Sequence, residues 1–101
     1  MHEKNIRVII KEPGKEPRED MSFPNTLEAF QKAVGGYIEA VAVSHHVVLI
    51  CNEEGRLIGL PENFGSFVGP VVAVGTKGPE FTSLRNQDVD MVLELMGGNH
   101  E

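Results

Sequence analysis

Four short apolar runs, rich in β-branched residues and separated by glycines, prolines and polar residues, restrict the fold of this chain more than any other feature. They span residues 5–11, 37–43, 47–51 and 67–75. Runs of this length and composition are typical of β-strands. In the first run, Ile6, Val8 and Ile10 fall on one side of an extended chain and Ile9 falls on the other, which indicates a buried strand. In the last run, Pro70 lacks an N–H and marks an edge position, a bulge or the true start of the strand.

The segment LICNEEGRLIGLPEN, residues 49–63, concentrates polar residues directly after the third run. Asn52 and Gly55 stand at the first and last positions of a four-residue turn. Asparagine can hydrogen-bond the backbone two residues later at such a turn, and glycine accepts a positive φ. We therefore predict a further strand at 56–60, which forms an antiparallel meander with the two runs before it.

The residues after Pro24 have the pattern of an amphipathic helix. Asn25 can cap the free N–H groups at the start, and Glu28 follows three residues later, as in a capping box. The apolar residues that follow are at helical spacing: Leu27, Phe30, Ala33 and Val34. Gly35 is predicted to end this helix, because glycine takes the left-handed conformation without strain.

A second helix is predicted over residues 86–96. Its apolar stripe has the spacing i, i+3, i+4, i+7 and consists of Val89, Val92, Leu93 and Met96. Asp88 and Asp90 lie near its N-terminus, where negative charge suits the helix dipole. The glycines at 97–98 are expected to end the helix, and residues 99–101 are expected to fray.

Residues 12–23 contain two prolines, a glycine and mixed charges, and they are predicted to form a solvated loop. The predicted element order is therefore β-α-β-β-β-β-α over a single domain, residues 1–101. This order indicates an α+β fold, a mainly antiparallel sheet of about five strands with two helices. Both helices are expected to cover the same face of the sheet.

Charge and cysteine content exclude several classes of protein. The net charge of −6 argues against a general affinity for nucleic-acid phosphates, which requires clustered Lys and Arg. No apolar run approaches the roughly 20 residues of a membrane span. The single cysteine, Cys51, has no partner for an internal disulfide, so a cytoplasmic location is expected.

Cys51 is also a candidate nucleophile, because a thiol can be activated by a nearby base or cation. His45, His46 and Arg56 are the candidates for that role, although a half-buried apolar side chain is the simpler interpretation of Cys51.

The two adjacent histidines would point to opposite faces of a strand and would not easily bind one metal ion. No metal-binding or nucleotide-binding motif is present. We predict no metal ion, no cofactor and no catalytic residue.

Three segments occurring together carry a family resemblance: EPGK at 12–15, NTLEAFQKAVGGYIE at 25–39 and ICNEEGRLIGLPEN at 50–63. They resemble domain-of-unknown-function family 3846, small proteins that commonly occur in bacteria, phages, plasmids and other mobile elements. The chain departs from the family pattern at Phe64, where many relatives carry a basic residue, and at Arg85, where relatives often have a small capping residue. The resemblance implies an accessory protein and assigns no activity.

The leading functional hypothesis is a non-catalytic binding module for a host protein or a small ligand. The expected binding surface is a rim formed by Tyr37, Glu39, Asn52, Glu53, Arg56, Pro61 and Asn63. One alternative is an acidic decoy against host defence, with Asp88, Asp90 and Glu94 imitating phosphates. Another is a small enzyme that uses Cys51 or Glu53, although adjacent carboxylates on a turn are usually just solvated. A homodimer formed through an exposed strand edge is also possible.

Overall fold

The computed structural model describes residues 3–97, which form six strands and two helices. The strands are β1 (Asn5–Lys11), β2 (Arg18–Pro24), β3 (Ile38–Ala42), β4 (Val47–Asn52), β5 (Val71–Lys77) and β6 (Glu80–Thr82). The helices are α1 (Leu27–Val34) and α2 (Asn86–Leu95). The predicted α+β class is confirmed, and the element order is β-β-α-β-β-β-β-α.

The sheet has the order β2-β1-β5-β4-β3, and all of its described pairs are antiparallel. β5 lies in the middle, with β4 along one edge. Its other edge is shared by two strands, because β1 pairs with residues Val71 to Ala73 and β6 pairs with Gly75 to Lys77. Since β5 is buried on both faces as far as Gly75, it is the centre of the hydrophobic core.

Two apolar clusters pack on opposite faces of the sheet. Alternate residues of β4 show the division, since Ile50 lies with Phe30 of α1 and Leu49 lies with Val92 of α2. The expectation that both helices cover one face is therefore wrong. A sheet of short strands buried on both sides needs a cover on each face, and each helix supplies one. Neither helix in the described part of the chain is long and apolar enough to cross a membrane.

The predicted loop at 12–23 is wrong over its second half, where β2 begins at Arg18. β2 pairs with β1 at the edge of the sheet, and a register shift separates the pairs made by Ile6 and Val8. Its residues are mostly exposed, and Phe23 alone is buried. Because an edge strand leaves its polar side chains in water, the sequence shows no apolar alternation here.

The predicted strand at 56–60 is absent from the described structure, and so is the third strand of the meander. β3 and β4 do pair in the predicted antiparallel hairpin, but β4 then pairs with β5. The chain after Asn52 forms a series of turns, with hydrogen bonds from Gly55 N to Asn52 O (3.2 Å) and from Ile58 N to Glu54 O (3.1 Å). The turn at Asn52 and Gly55 therefore exists, but it does not return the chain along β4.

The boundaries near the C-terminal half also differ from prediction. The fifth predicted strand begins after Pro70, which settles the alternatives for that proline in favour of the strand start. β5 extends to Lys77 and turns through Gly78 (φ 60°) into β6, which the sequence analysis missed. β6 has three residues, too few to show a periodicity.

The cap of α1 lies one residue later than predicted, whereas α2 starts at Asn86 as predicted. Thr26 caps α1, with Oγ1 accepting from Ala29 N at 3.1 Å. Asn25 instead donates through Nδ2 to the carbonyls of Glu3 and Phe81, both at 3.1 Å. The left-handed end at Gly35 (φ 81°) is confirmed. α2 ends at Leu95, with Gly97 also left-handed, whereas Gly98 and the predicted fraying of 99–101 lie outside the described residues.

Candidate binding site

Residues 53–70, here called the crossing loop, connect β4 to β5 and fold back on themselves. Hydrogen bonds from Leu60 N to Gly55 O (2.9 Å) and from Gly69 N to Pro61 O (2.7 Å) hold the loop together. A Cβ on Gly55 would lie 2.8 Å from Val68 Cγ2, and one on Gly69 (φ 73°) would lie 2.6 Å from Leu60 Cδ1. The two glycines permit these close contacts, since a Cβ at either position would require the neighbouring methyl group to shift.

Asn63 fixes the crossing loop to β1. Its Nδ2 donates to Lys11 O and Gly69 O, both at 2.8 Å, and its Oδ1 accepts from Lys11 Nζ at 3.0 Å. The carbonyl of the exposed Pro61 accepts from Gly69 N in the same part of the loop. These two residues of the predicted rim therefore hold the loop in place rather than face a common cleft with Glu39.

Asn52 joins the end of α1 to the start of the crossing loop. Its Oδ1 accepts from Glu54 N at 2.8 Å, as in an Asx turn, and its Nδ2 donates to Val34 O at 3.1 Å. The side chain is buried, and a Cβ on Gly36 would lie 2.8 Å from Nδ2. The turn geometry predicted for Asn52 is thus present, together with a contact to α1 that the sequence does not reveal.

The crossing loop and the edge strand β3 enclose a cleft of about 310 Å³, here called the Glu39 cleft. The cleft is lined by Glu39, Val41, Cys51, Asn52, Glu53, Gly55, Arg56, Leu57, Ser66, Phe67 and Val68. Arg56 donates through Nη2 to Ser66 O. Among residues 3–97, neither Glu39, Glu53 nor Arg56 takes part in a salt bridge. The cleft therefore combines apolar side chains with charged groups that form no ion pair within the described residues.

Burial and the neighbouring Glu39 carboxylate both raise the pKa of the Cys51 thiol, and burial is the larger cause. Both effects disfavour the thiolate, which is the nucleophilic form. His45 and His46 precede β4, whereas Cys51 is near its other end, about 13 Å along the strand. Neither histidine is therefore placed to activate the thiol.

A second cleft, of about 510 Å³, lies at the C-terminal end of α1. It is lined by Gln31, Lys32, Gly35, Gly36, Tyr37, Asn52, Glu54 and Ile58. Tyr37 is 68% exposed and Ile58 is 57% exposed. Asn52 lines both clefts, and the turn that carries Leu57 and Ile58 lies between them.

The predicted rim is thus divided among three places. Glu39, Asn52, Glu53 and Arg56 come together in the Glu39 cleft, Tyr37 lines the second cleft, and Pro61 and Asn63 belong to the crossing loop. The sequence analysis missed Leu57 and Ile58, because it assigned them to a strand. Two adjacent aliphatic residues after an exposed turn were the available signal for a surface contact.

The acidic face proposed for α2 has two exposed members, Asp90 and Glu94. Asp88 is buried and forms an ion pair with Arg85, with 2.8 Å between Nε and Oδ2 and 3.3 Å between Nη2 and Oδ1. The hydrogen bonds from Arg85 are the largest cause of the lowered pKa of Asp88; burial acts in the opposite direction, and the positive charge of Arg85 lowers the pKa further. In the range that the structure covers, no group of three His, Cys, Asp or Glu side chains is placed to hold a metal ion.

Comparison with known proteins gives one match. A search of the curated proteins and a search of the solved structures found no similar protein. The family model described as "Domain of unknown function (DUF3846)" matches residues 6–97, from β1 to the end of α2. This range contains all the elements described above except the first residue of β1, so the chain belongs to the DUF3846 family.

Proposed function

We propose that this chain is a non-catalytic accessory protein of phage or mobile-element type, and that it binds a host protein in the cytoplasm. The contact surface is the loop tip, defined as Leu57 and Ile58, together with the two clefts on either side of it. The observation that carries the proposal is the exposure of the tip, since Leu57 is 87% exposed and Ile58 57%.

The loop tip is fixed in position before any partner arrives. Ile58 N donates to Glu54 O at 3.1 Å, and Gly59 (φ 75°) donates to Arg56 O at 3.3 Å. Below the tip, the close packing around Gly55 and Gly69 holds the rest of the loop. Aliphatic side chains on a fixed backbone lose little conformational entropy on binding, which favours their use as anchors. Adjacent exposed apolar residues next to clefts are typical of interaction sites.

The charges around the loop tip indicate the chemistry of the partner. Three carboxylates line the two clefts, those of Glu39, Glu53 and Glu54, whereas the clefts have two cationic side chains, Arg56 and Lys32. The whole chain carries a net charge of −6. A complementary partner segment would place apolar side chains on the tip and basic side chains in the clefts.

The structure offers less support for the other functions. An enzyme that uses Cys51 would have to work with a thiol whose pKa is raised, in a cleft where Glu39 opposes ionisation. An acidic decoy would rely on a row of carboxylates in which Asp88 is buried and ion-paired. A small ligand in the Glu39 cleft is the alternative partner for the same binding role.

The experiment is affinity capture from phage-infected and uninfected bacterial lysates, followed by mass spectrometry of bound proteins and small molecules. The test variant is Leu57→Ser with Ile58→Ser. The matched control is Met21→Ser, because Met21 is similarly exposed (63%) but lies on β2, at the opposite edge of the sheet. We expect a protein that the wild type and the control capture and the test variant loses.

Equal capture by the test variant would contradict the role of the loop tip. Recovery of a stoichiometric small molecule without any protein would replace the host-protein partner with a ligand. In that case Glu39→Gln or Arg56→Gln, which alter the cleft, would be expected to abolish recovery of that molecule.

A further inference from the structure

The two edges of the sheet differ in how they are protected. β2 carries Arg18, Glu19 and Asp20, follows Pro17 and ends at Pro24, and both charges and prolines discourage strand pairing. β3, the edge on the other side, has the sequence IEAVA with Glu39 as its one charge. In the described part of the chain, β3 has a strand neighbour on one side. The β3 edge is therefore the one open to a further strand.

The hydrogen bonds between β3 and β4 show which backbone groups remain free. Val43 N donates to Val47 O at 3.0 Å, and Glu53 N donates to Tyr37 O at 2.8 Å. Since bonding alternates along an antiparallel pair, Glu39 and Val41 also bond toward β4. The N–H and C=O groups of the even-numbered residues of β3 therefore point away from the sheet.

We propose that this edge pairs with β3 of a second copy of the chain, antiparallel and with its two-fold axis at Ala40. In this register Ala40 faces Ala40 of the second copy, and Ile38 faces Ala42 of the second copy. The outward groups of the two strands then form about six backbone hydrogen bonds. The two sheets become one continuous sheet through an isologous contact, as in most symmetric dimers.

The side chains of β3 suit this register better than a register shifted by one residue. Glu39 comes opposite Val41 of the second copy, so the two carboxylates do not face each other. A shift of the two-fold axis to Glu39 would place like charges directly opposite, which is destabilising. The register also brings Tyr37 next to Val43 of the second copy. These two residues are 68% and 37% exposed at the ends of β3, and each would cover the other.

The same contact would complete the Glu39 cleft. Glu39 and Val41 of the edge strand line one side of that cleft, so the cleft is bounded on this side by the edge of the sheet. The second copy would place its own Val41 and Glu39 beside these residues. The Glu39 clefts of the two copies would then form one continuous cleft. The loop tip lies outside β3 and is not needed for pairing, so this proposal and the proposed function can fail independently.

The test is the solution mass from light scattering or sedimentation, with the wild type expected at twice the chain mass of 11.1 kDa. Ala40→Lys and Ala40→Glu each place two like charges face to face at the two-fold axis, so each alone is expected to be monomeric. An equimolar mixture of the two is expected to regain the doubled mass as a mixed dimer. Met21→Lys, which puts the same charge on the β2 edge, should remain dimeric.

A monomeric wild type at millimolar concentration would overturn the proposal and leave the β3 edge to an extended segment of another protein. Dimers of both single variants would also overturn it, as would a mixture that stays monomeric. Far-UV circular dichroism of each variant separates loss of pairing from loss of folding, because Ala40 is exposed and its replacement should leave the fold intact. Leu57→Ser with Ile58→Ser is expected to dimerise like the wild type.

Discussion

Replacing Asn52 by alanine tests whether a side chain from the turn stabilises the fold. The change removes the hydrogen bond from Glu54 N to Oδ1 (2.8 Å) and the one from Nδ2 to Val34 O (3.1 Å). Each bond contributes about 1 kcal/mol net, and a buried polar group left without its partner costs about 1–3 kcal/mol. The carbonyl of Val34, at the end of α1, is such a group. We therefore expect Asn52→Ala to lower the free energy of unfolding by about 2–4 kcal/mol.

The assay is urea unfolding followed by far-UV circular dichroism, supported by the Tm, which should fall by roughly 10–25 °C. Asn86→Ala is the matched control, because Asn86 is exposed at the start of α2 and should change stability by less than about 0.5 kcal/mol. Asn52→Asp retains the acceptor for Glu54 N. Its protonated carboxyl group can also donate to Val34 O, whereas the ionised form cannot, so this variant should fall between alanine and the wild type at low pH. A loss below about 0.5 kcal/mol for Asn52→Ala would refute the reasoning.

Three further predictions concern the loop and the titratable groups. Gly69→Ala should destabilise the protein by about 1–3 kcal/mol in urea unfolding, because of its positive φ and the leucine methyl 2.6 Å from the new Cβ; an unchanged midpoint would contradict the close packing. Arg85→Gln should raise the pKa of Asp88 in an NMR titration. In the wild type, ionised Asp88 stabilises the folded state at pH values above 3.8, its pKa in the unfolded chain. This stabilisation is lost as the pH falls from 3.8 through the lower pKa of the folded state. The variant should therefore lose less stability than the wild type over the same pH range. Alkylation of Cys51 by iodoacetamide should be slow at neutral pH, with an apparent thiol pKa above 9.0. Glu39→Gln should shift the dependence of the alkylation rate on pH to lower pH. An unshifted profile would show that the Glu39 carboxylate has no effect on the thiol pKa.

The parts of the fold that local sequence determines were predictable. Helix α1 could be placed because its apolar spacing and the terminal Gly35 depend on residues close together in the chain. β1, β3 and β4 were recognisable because each is a run of apolar, often β-branched residues. The hairpin between β3 and β4 followed from their proximity along the chain.

The errors have a common physical origin in tertiary context. β2 is stabilised by pairing with β1 and by a single buried side chain, Phe23, so its sequence looks like that of a loop. The edge of β4 where a strand at 56–60 was predicted is paired with β5 instead. The sequence around residues 56–60 does not show that β5 would occupy this edge. Of the apolar residues in this segment, Leu60 packs against the glycines of the crossing loop, whereas Leu57 and Ile58 are exposed.

The sequence alone could not show whether the predicted site residues lie on one surface or on several. Glu39 and Glu53 could be associated because the β3–β4 hairpin brings their segments together. The contact between Asn63 and β1 could not be predicted, because its partner Lys11 lies far away in the sequence. Side chains that hold a loop and side chains that face a partner have the same chemistry in the sequence, and contacts alone distinguish them.

The position of β5 has a consequence for the order in which the protein folds. β1 can form its hairpin with β2, and β3 with β4, while the chain is still being made. The two hairpins cannot join until Val71–Lys77 has been synthesised, because β5 is the strand that pairs with both. Such contacts between distant residues slow folding. Until then the inner edges of both hairpins stay open, so the nascent chain is most vulnerable to aggregation just before β5 is synthesised.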